Sequence, residues 1–107
     1  MSLAIKTGAR VGLTTPRMVL AALIIEGAYA DSGIPLCTLT AGLDGKHMAS
    51  SKHYTGDAWD VRINNVPPEK LEPLRKLIAE RLGADFDVVL ESDHFHVEFD
   101  PKTPYGA

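Results

Sequence analysis

The chain has 107 residues, enough for one hydrophobic core and too few to divide, so residues 1–107 are read as a single domain. Eleven basic against 14 acidic residues give a net charge of −3, which leaves no basic footprint for nucleic acid. A single cysteine, Cys37, excludes an intrachain disulfide, and the ordinary apolar content argues against a disordered chain.

In chain order, residues 1–12 show no clear period and are read as an extended lead-in. Thr14 and Thr15 offer an N-cap, and Pro16 suits a first helical turn. Residues 17–31 are densely apolar, with Met18, Leu20, Ala21, Ala22, Leu23, Ile24, Ile25 and Ala28. That density predicts a helix buried over much of its circumference, closed by Gly33 and stopped by Pro35. The apolar run 18–25 is too short to cross a bilayer and too far along the chain for a secretory signal, so no membrane insertion is expected. The expectation is a soluble protein made in the cytoplasm.

Residues 36–39 read as a strand, where Cys37 has no histidine or cation beside it and is expected to be a buried, inert thiol. Residues 41–50 read as a loop. Residues 58–63 alternate, so Ala58, Asp60 and Arg62 share one strand face and Trp59, Val61 and Ile63 the other. Val66-Pro67-Pro68 opens a second helix with a stripe at Leu71, Leu74, Leu77, Ile78 and Leu82, ended by Gly83. Pro73 should kink it or mark its true first turn. Residues 86–90 and 95–99 read as an antiparallel hairpin joined through Glu91, Ser92 and Asp93. The sum is an α+β fold with two main helices and a small antiparallel sheet of about four strands.

Three of the four histidines lie in two short segments. The first, Ser51-Lys52-His53-Tyr54-Thr55-Gly56-Asp57-Ala58-Trp59-Asp60, places a histidine shortly before an aspartate. Gly56 lets the backbone bend between a loop histidine and a strand aspartate, and Ala58 adds little bulk beside Asp60. The second, Asp93-His94-Phe95-His96, puts two imidazoles on one strand face. Neutral imidazole and carboxylate are the groups a catalytic zinc takes, three from the protein with water in the fourth position. An acid nearby can serve that water as general base, and Asp93 and Glu91 are both available. Geometry alone would let either His94 or His96 bind metal. A hydrogen-bonded surface histidine with a capping aspartate would explain either segment singly, but the complete spacing outweighs that reading. Ser51 is read as ordering the loop, and Tyr54 and Trp59 as packing residues.

The pattern S-x-H-x-x-G-x-A-x-D, met by Ser51, His53, Gly56, Ala58 and Asp60 and followed by H-x-H, resembles the LAS group of zinc peptidases. That group comprises lysostaphin-type enzymes, D-Ala-D-Ala metallopeptidases and the hedgehog signalling domain. The likeness is greatest to the branch of small D-Ala-D-Ala carboxypeptidases and phage L-alanyl-D-glutamate endolysins, and it spans roughly residues 39–100. It implies a hedgehog-like fold, a Zn2+ ion held by His53, Asp60 and His96, and hydrolysis of peptidoglycan stem peptides as a carboxypeptidase or endopeptidase. His94 would then donate a hydrogen bond to the developing oxyanion. Asp93 stands three residues before His96, the offset of the acid in these relatives. Glu91 stands three before His94, the spacing of the vancomycin-resistance dipeptidases. With His96 as the ligand, the offset favours Asp93.

Relatives often carry an arginine in a Ser-Gly-x-Arg segment where this chain has Ala41-Gly42-Leu43-Asp44. Lys46, His47 and Arg62 are the residues that could meet a substrate carboxylate or the oxyanion instead, although lysine lacks the bidentate fork of arginine. The hedgehog domain keeps its metal site while acting mainly as a binding partner, so the alternative is a non-catalytic zinc-containing peptidoglycan-binding or phage structural module. A metal-dependent nuclease is disfavoured by the acidic charge. Reaching the cell wall would need help, by holin-like release or as part of a phage particle.

Overall fold

Pro16 sets the backbone angle of a first helical turn, and the chain is helical from there to Asp31. In the computed structural model, which describes residues 2–7, 15–41 and 57–101, the elements are β1 (Ser2–Ile5), α1 (Pro16–Asp31), β2 (Leu36–Ala41), β3 (Ala58–Arg62), α2 (Pro68–Leu82), β4 (Phe86–Leu90) and β5 (His94–Phe99). Among the described residues this is an α+β domain with two helices and one five-stranded sheet, ordered β1-β2-β3-β5-β4.

Two expectations about the sheet are corrected. It has five strands rather than about four, and it is mixed rather than antiparallel. The stretch read as a lead-in contributes β1, which pairs parallel with β2 through Ser2↔Leu36 to Ile5↔Leu39. Four residues of Ser-Leu-Ala-Ile carry no alternation to reveal a strand. Their conformation is set by pairing with a strand more than 30 positions away. The remaining pairs are antiparallel, and β4 and β5 form the expected hairpin, with the Glu91 amide donating to the His94 carbonyl at 2.9 Å.

Helix α1 also differs from its expected burial. Met18, Ala21, Ala22, Ile25, Ala28 and Tyr29 are buried, whereas Val19, Leu20 and Leu23 are each at least half exposed. The buried set follows the three-and-four spacing of a one-sided helix, because the sheet and α2 cover one side of it. Thr15 occupies the N-cap position without a side-chain cap; its hydroxyl donates instead to Asp57 Oδ1 at 2.8 Å. Gly33, with φ of 81°, takes the left-handed conformation that ends the helix. In α2, Pro73 is neither the first turn nor an end. It lies inside a helix that begins at Pro68, where its ring nitrogen cannot donate to the carbonyl one turn back.

The core lies between the helices and one face of the sheet. Cys37, Leu39, Trp59, Val61, Phe95, Val97 and Phe99 pack there against Ile25, Tyr29, Leu74 and Ile78. Two hydrogen bonds fix this contact at its polar points: Trp59 Nε1 donates to the Met18 carbonyl, and Tyr29 Oη to the Arg62 carbonyl, each at 2.8 Å. Trp59 is therefore a packing residue, as expected. The strand period sends the alternate side chains, Asp60, Arg62, His94, His96 and Glu98, to the opposite face of the sheet.

Candidate functional site

The polar face is organised by the pairing of β3 with β5. Asp60 stands directly opposite His96, and Arg62 opposite His94, so both imidazoles come within reach of one carboxylate. His96 Nδ1 lies 3.1 Å from Asp60 Oδ1, and His94 Nε2 lies 3.5 Å from the same oxygen. A bulge between Leu39 and Ala41 shifts the β2–β3 register next to Asp60, the kind of irregularity that re-aims side chains beside a site. The start of β3 is tied to α1 through Asp57, which accepts from the Thr15 hydroxyl and from Arg17 Nε at 3.1 Å.

These separations bear on whether the residues fit a metal ion. Two nitrogen or oxygen ligands of a tetrahedral zinc, each about 2.0–2.1 Å from it, are about 3.3 Å apart. The Asp60–His96 and Asp60–His94 distances lie on either side of that value. The donor set, one carboxylate and imidazole nitrogens, is also of the zinc type. Asp60 and His96, the two expected ligands among the described residues, fit the ion on both counts.

Electrostatics at His96 follow from its partners. The hydrogen bond to Asp60 raises the affinity of its imidazole for a proton above the ordinary range; partial burial opposes this, and a second hydrogen bond, to Glu98, adds to it. Glu98 Oε1 lies 2.9 Å from His96 Nε2. Sequence reasoning missed this residue, although its place two after His96 on an alternating strand was a usable signal.

Asp93 and Glu91 sit at the hairpin but differ in where they point. Asp93 Oδ1 lies 2.6 Å from His94 Nδ1, and the Asp93 side chain is 83% exposed. It lines a polar cleft of about 460 Å³ together with Lys6, Thr40, Asp60, Arg62, Asn64 and His94. Glu91 is exposed at the tip of the hairpin and is not among the cleft residues. Arg62, singled out from the sequence, belongs to the cleft, and Lys6 joins it from the end of β1. Lys6 could not be anticipated while β1 was read as a lead-in. His53, Lys46 and His47, together with Ser51, Tyr54 and Gly56, lie outside the described residues.

Other features of the surface are less suited to this chemistry. A larger depression of about 660 Å³ beside α2 and β4 is lined by Arg75, Lys76, Glu80 and Phe86, with no histidine. Asp87, Glu98 and Asp100 bring carboxylate oxygens within 4.8 Å of one another on the same side of the sheet as His96. Three carboxylates without imidazole favour a hard cation over zinc, and such groupings are common without any ion. Compared with known proteins, the chain matches no protein-family model and no curated protein.

Proposed function

We propose that this chain is a zinc peptidase that hydrolyses peptide bonds in peptidoglycan stem peptides, of the D-Ala-D-Ala carboxypeptidase or L-alanyl-D-glutamate endopeptidase type. Its α+β architecture would then be a hedgehog-like one. The observation that carries this reading is the approach of Asp60 to His96 at a separation suited to two ligands of one ion, with His94 near the same carboxylate oxygen and a cleft alongside that also contains Asp93. The two motifs that supply these residues carry the resemblance to LAS peptidases.

In this reading His53, Asp60 and His96 hold Zn2+. The ion supplies a Lewis acid and lowers the pKa of water. The remaining chemistry belongs to side chains of the cleft. Asp93, bonded to His94 through Oδ1, has a second oxygen with which to take a proton from the attacking water and pass it to the leaving amine. His94, bonded to Asp93 at Nδ1, turns Nε2 toward Asp60, the side from which it would donate to the developing oxyanion. Arg62 and Lys6 give the cleft a cationic side that suits a substrate carboxylate, the role for which relatives use an arginine that this chain lacks. Lys46 and His47 remain candidates for the same role from the loop. No helix among the described residues is long and apolar enough to cross a membrane, and delivery to the wall is assigned to holin-like release or a phage particle.

The test is direct. Zinc-loaded protein is incubated with a stem pentapeptide ending in D-Ala-D-Ala and with a muropeptide containing the L-Ala-D-Glu bond, and products are read by mass spectrometry. Release of D-Ala identifies a carboxypeptidase, and cleavage after L-Ala an endopeptidase. Zinc binding without either product, combined with retention on purified cell walls, would replace this reading with a zinc-containing binding module.

A further inference from the structure

We infer that Glu98 is a positioning residue for this site: by accepting the Nε2 proton of His96, it keeps Nδ1 bare and turned toward Asp60. The inference rests on the reading of His96 and Asp60 as metal ligands, and it adds a residue that neither motif contains.

Strand register decides which groups Glu98 can meet. Glu98 and His96 are two apart on β5 and so share a face. Across β3 the partner of Glu98 is Ala58, which is buried and too small to contend for the space. Across β4 the partner is Asp87, and like charges directly opposite repel. Asp100 brings a third carboxylate within 4.8 Å of these two. Among the described residues the favourable partner is the ring along its own strand, and Glu98 Oε1 lies 2.9 Å from His96 Nε2.

A neutral imidazole has one proton for two nitrogens, and only the bare nitrogen can bind a metal. Here two carboxylates compete for that proton. Asp60 faces Nδ1 at 3.1 Å and Glu98 faces Nε2 at 2.9 Å. A proton drawn to Nδ1 would occupy the atom that stands at ligand separation from Asp60. A proton held at Nε2 leaves that atom open, and fixing a ring in this way is how carboxylates beside ligating histidines raise metal affinity. Without Glu98, Asp60 is the stronger acceptor in contact with the ring and pulls the proton onto the wrong nitrogen.

The experiment has two readouts on the full chain. Nitrogen-15 NMR of the metal-free protein, at a pH where His96 is neutral, reports which nitrogen carries the proton. Competition with a chromogenic chelator gives the zinc dissociation constant. The wild type should hold the proton on Nε2. Glu98→Ala should move it to Nδ1 and weaken zinc binding by about 10–100-fold, the usual scale for losing such a partner. Glu98→Gln, whose amide oxygen still accepts, should keep the Nε2 proton and lose less than about tenfold. If Glu98→Ala fails to fold, Glu98→Met makes the same comparison with a longer side chain that offers no oxygen acceptor. A wild-type proton already on Nδ1, or one that stays on Nε2 without Glu98, overturns the inference. A wild type that binds no zinc would instead remove the peptidase reading, while the metal-free tautomer still decides the role of Glu98.

Discussion

Replacing Asp93 with asparagine separates two jobs that its position allows. Asp93 accepts a hydrogen bond from His94 Nδ1 at 2.6 Å and lines the cleft beside Asp60. If it only orients His94, the Asp93→Asn variant preserves most of the effect, since its amide carbonyl still accepts. A hydrogen bond to a charged group contributes about 1.5–3 kcal/mol and a neutral one about 0.5–1.5, so the exchange costs roughly 1 kcal/mol, or about fivefold in rate. Asp93 is 83% exposed, and solvent screening lowers that figure further. If Asp93 is the general base, the substitution removes the proton acceptor itself, and kcat should fall about a hundredfold or more, roughly 2.7 kcal/mol. We expect the larger loss, with zinc content unchanged because Asp93 is not a ligand. The assay is steady-state cleavage of the stem peptide by zinc-loaded Asp93→Asn, Asp93→Ala and Glu91→Gln. Glu91 lies outside the cleft, and its substitution should cost less than about threefold. A fivefold loss or less in Asp93→Asn would refute the base assignment, and a hundredfold loss in Glu91→Gln would transfer the role.

The ligand set predicts one zinc per chain, removable by chelator, with His53→Ala, Asp60→Ala and His96→Ala each abolishing tight binding and His94→Ala largely retaining it. Metal analysis after dialysis checks this, and zinc kept by His96→Ala but lost by His94→Ala would reverse the two histidines. In the metal-free protein, the raised proton affinity of His96 is a contribution to stability with a definite sign. It is fully present below the unfolded value of about 6.5 and is lost as pH rises through the higher folded value. Urea unfolding of metal-free wild type and His96→Asn should therefore give a stability gap that narrows with rising pH; a widening gap would contradict the geometry at Asp60 and Glu98. Burial, with a smaller contribution from the charge of Glu26, pushes the Cys37 thiol up to about 12. Its alkylation at pH 8 should be on the order of a thousandfold slower in the native protein than in denaturant, and comparable rates would show that the thiol is accessible.

What could be read from the sequence was what depends on short range. The β4–β5 hairpin follows from two alternating segments around Glu91, Ser92 and Asp93, and the two faces of β3 follow from the strand period. Helix α2 is legible because Leu71, Leu74, Leu77, Ile78 and Leu82 form one stripe among charged residues, with Leu74 and Ile78 fully buried. What escaped depended on contacts made across the fold. The four residues of β1 become a strand by lying beside β2, and with them Lys6 reaches the cleft. The exposed side of α1 could not be distinguished from its buried side, because Leu20 and Leu23 are as apolar as Ile25 and only the position of the sheet selects between them. Glu98 was visible as a strand residue, but its partner depended on knowing that Ala58 and Asp87 flank it.

The site and the core are also bound to one another through a single register. Asp60 meets His96 because Val61 meets Phe95 and Trp59 meets Val97 in the same ladder. Side chains alternate with a period of two, so a slip of one residue between β3 and β5 would set Asp60 opposite Val97 or Phe95 and turn each apolar partner toward the wrong face. The slip would strip buried area from Phe95 and Val97, both fully buried, while burying His96 or Asp60 against the helices without partners. Each fully buried side chain of that size contributes about 1.5–3 kcal/mol, so two of them already outweigh any surface hydrogen bond the slipped pairing could form. The hydrophobic face thus enforces the pairing on which the polar face depends. The histidines can therefore keep their place relative to Asp60 without an ion to hold them there.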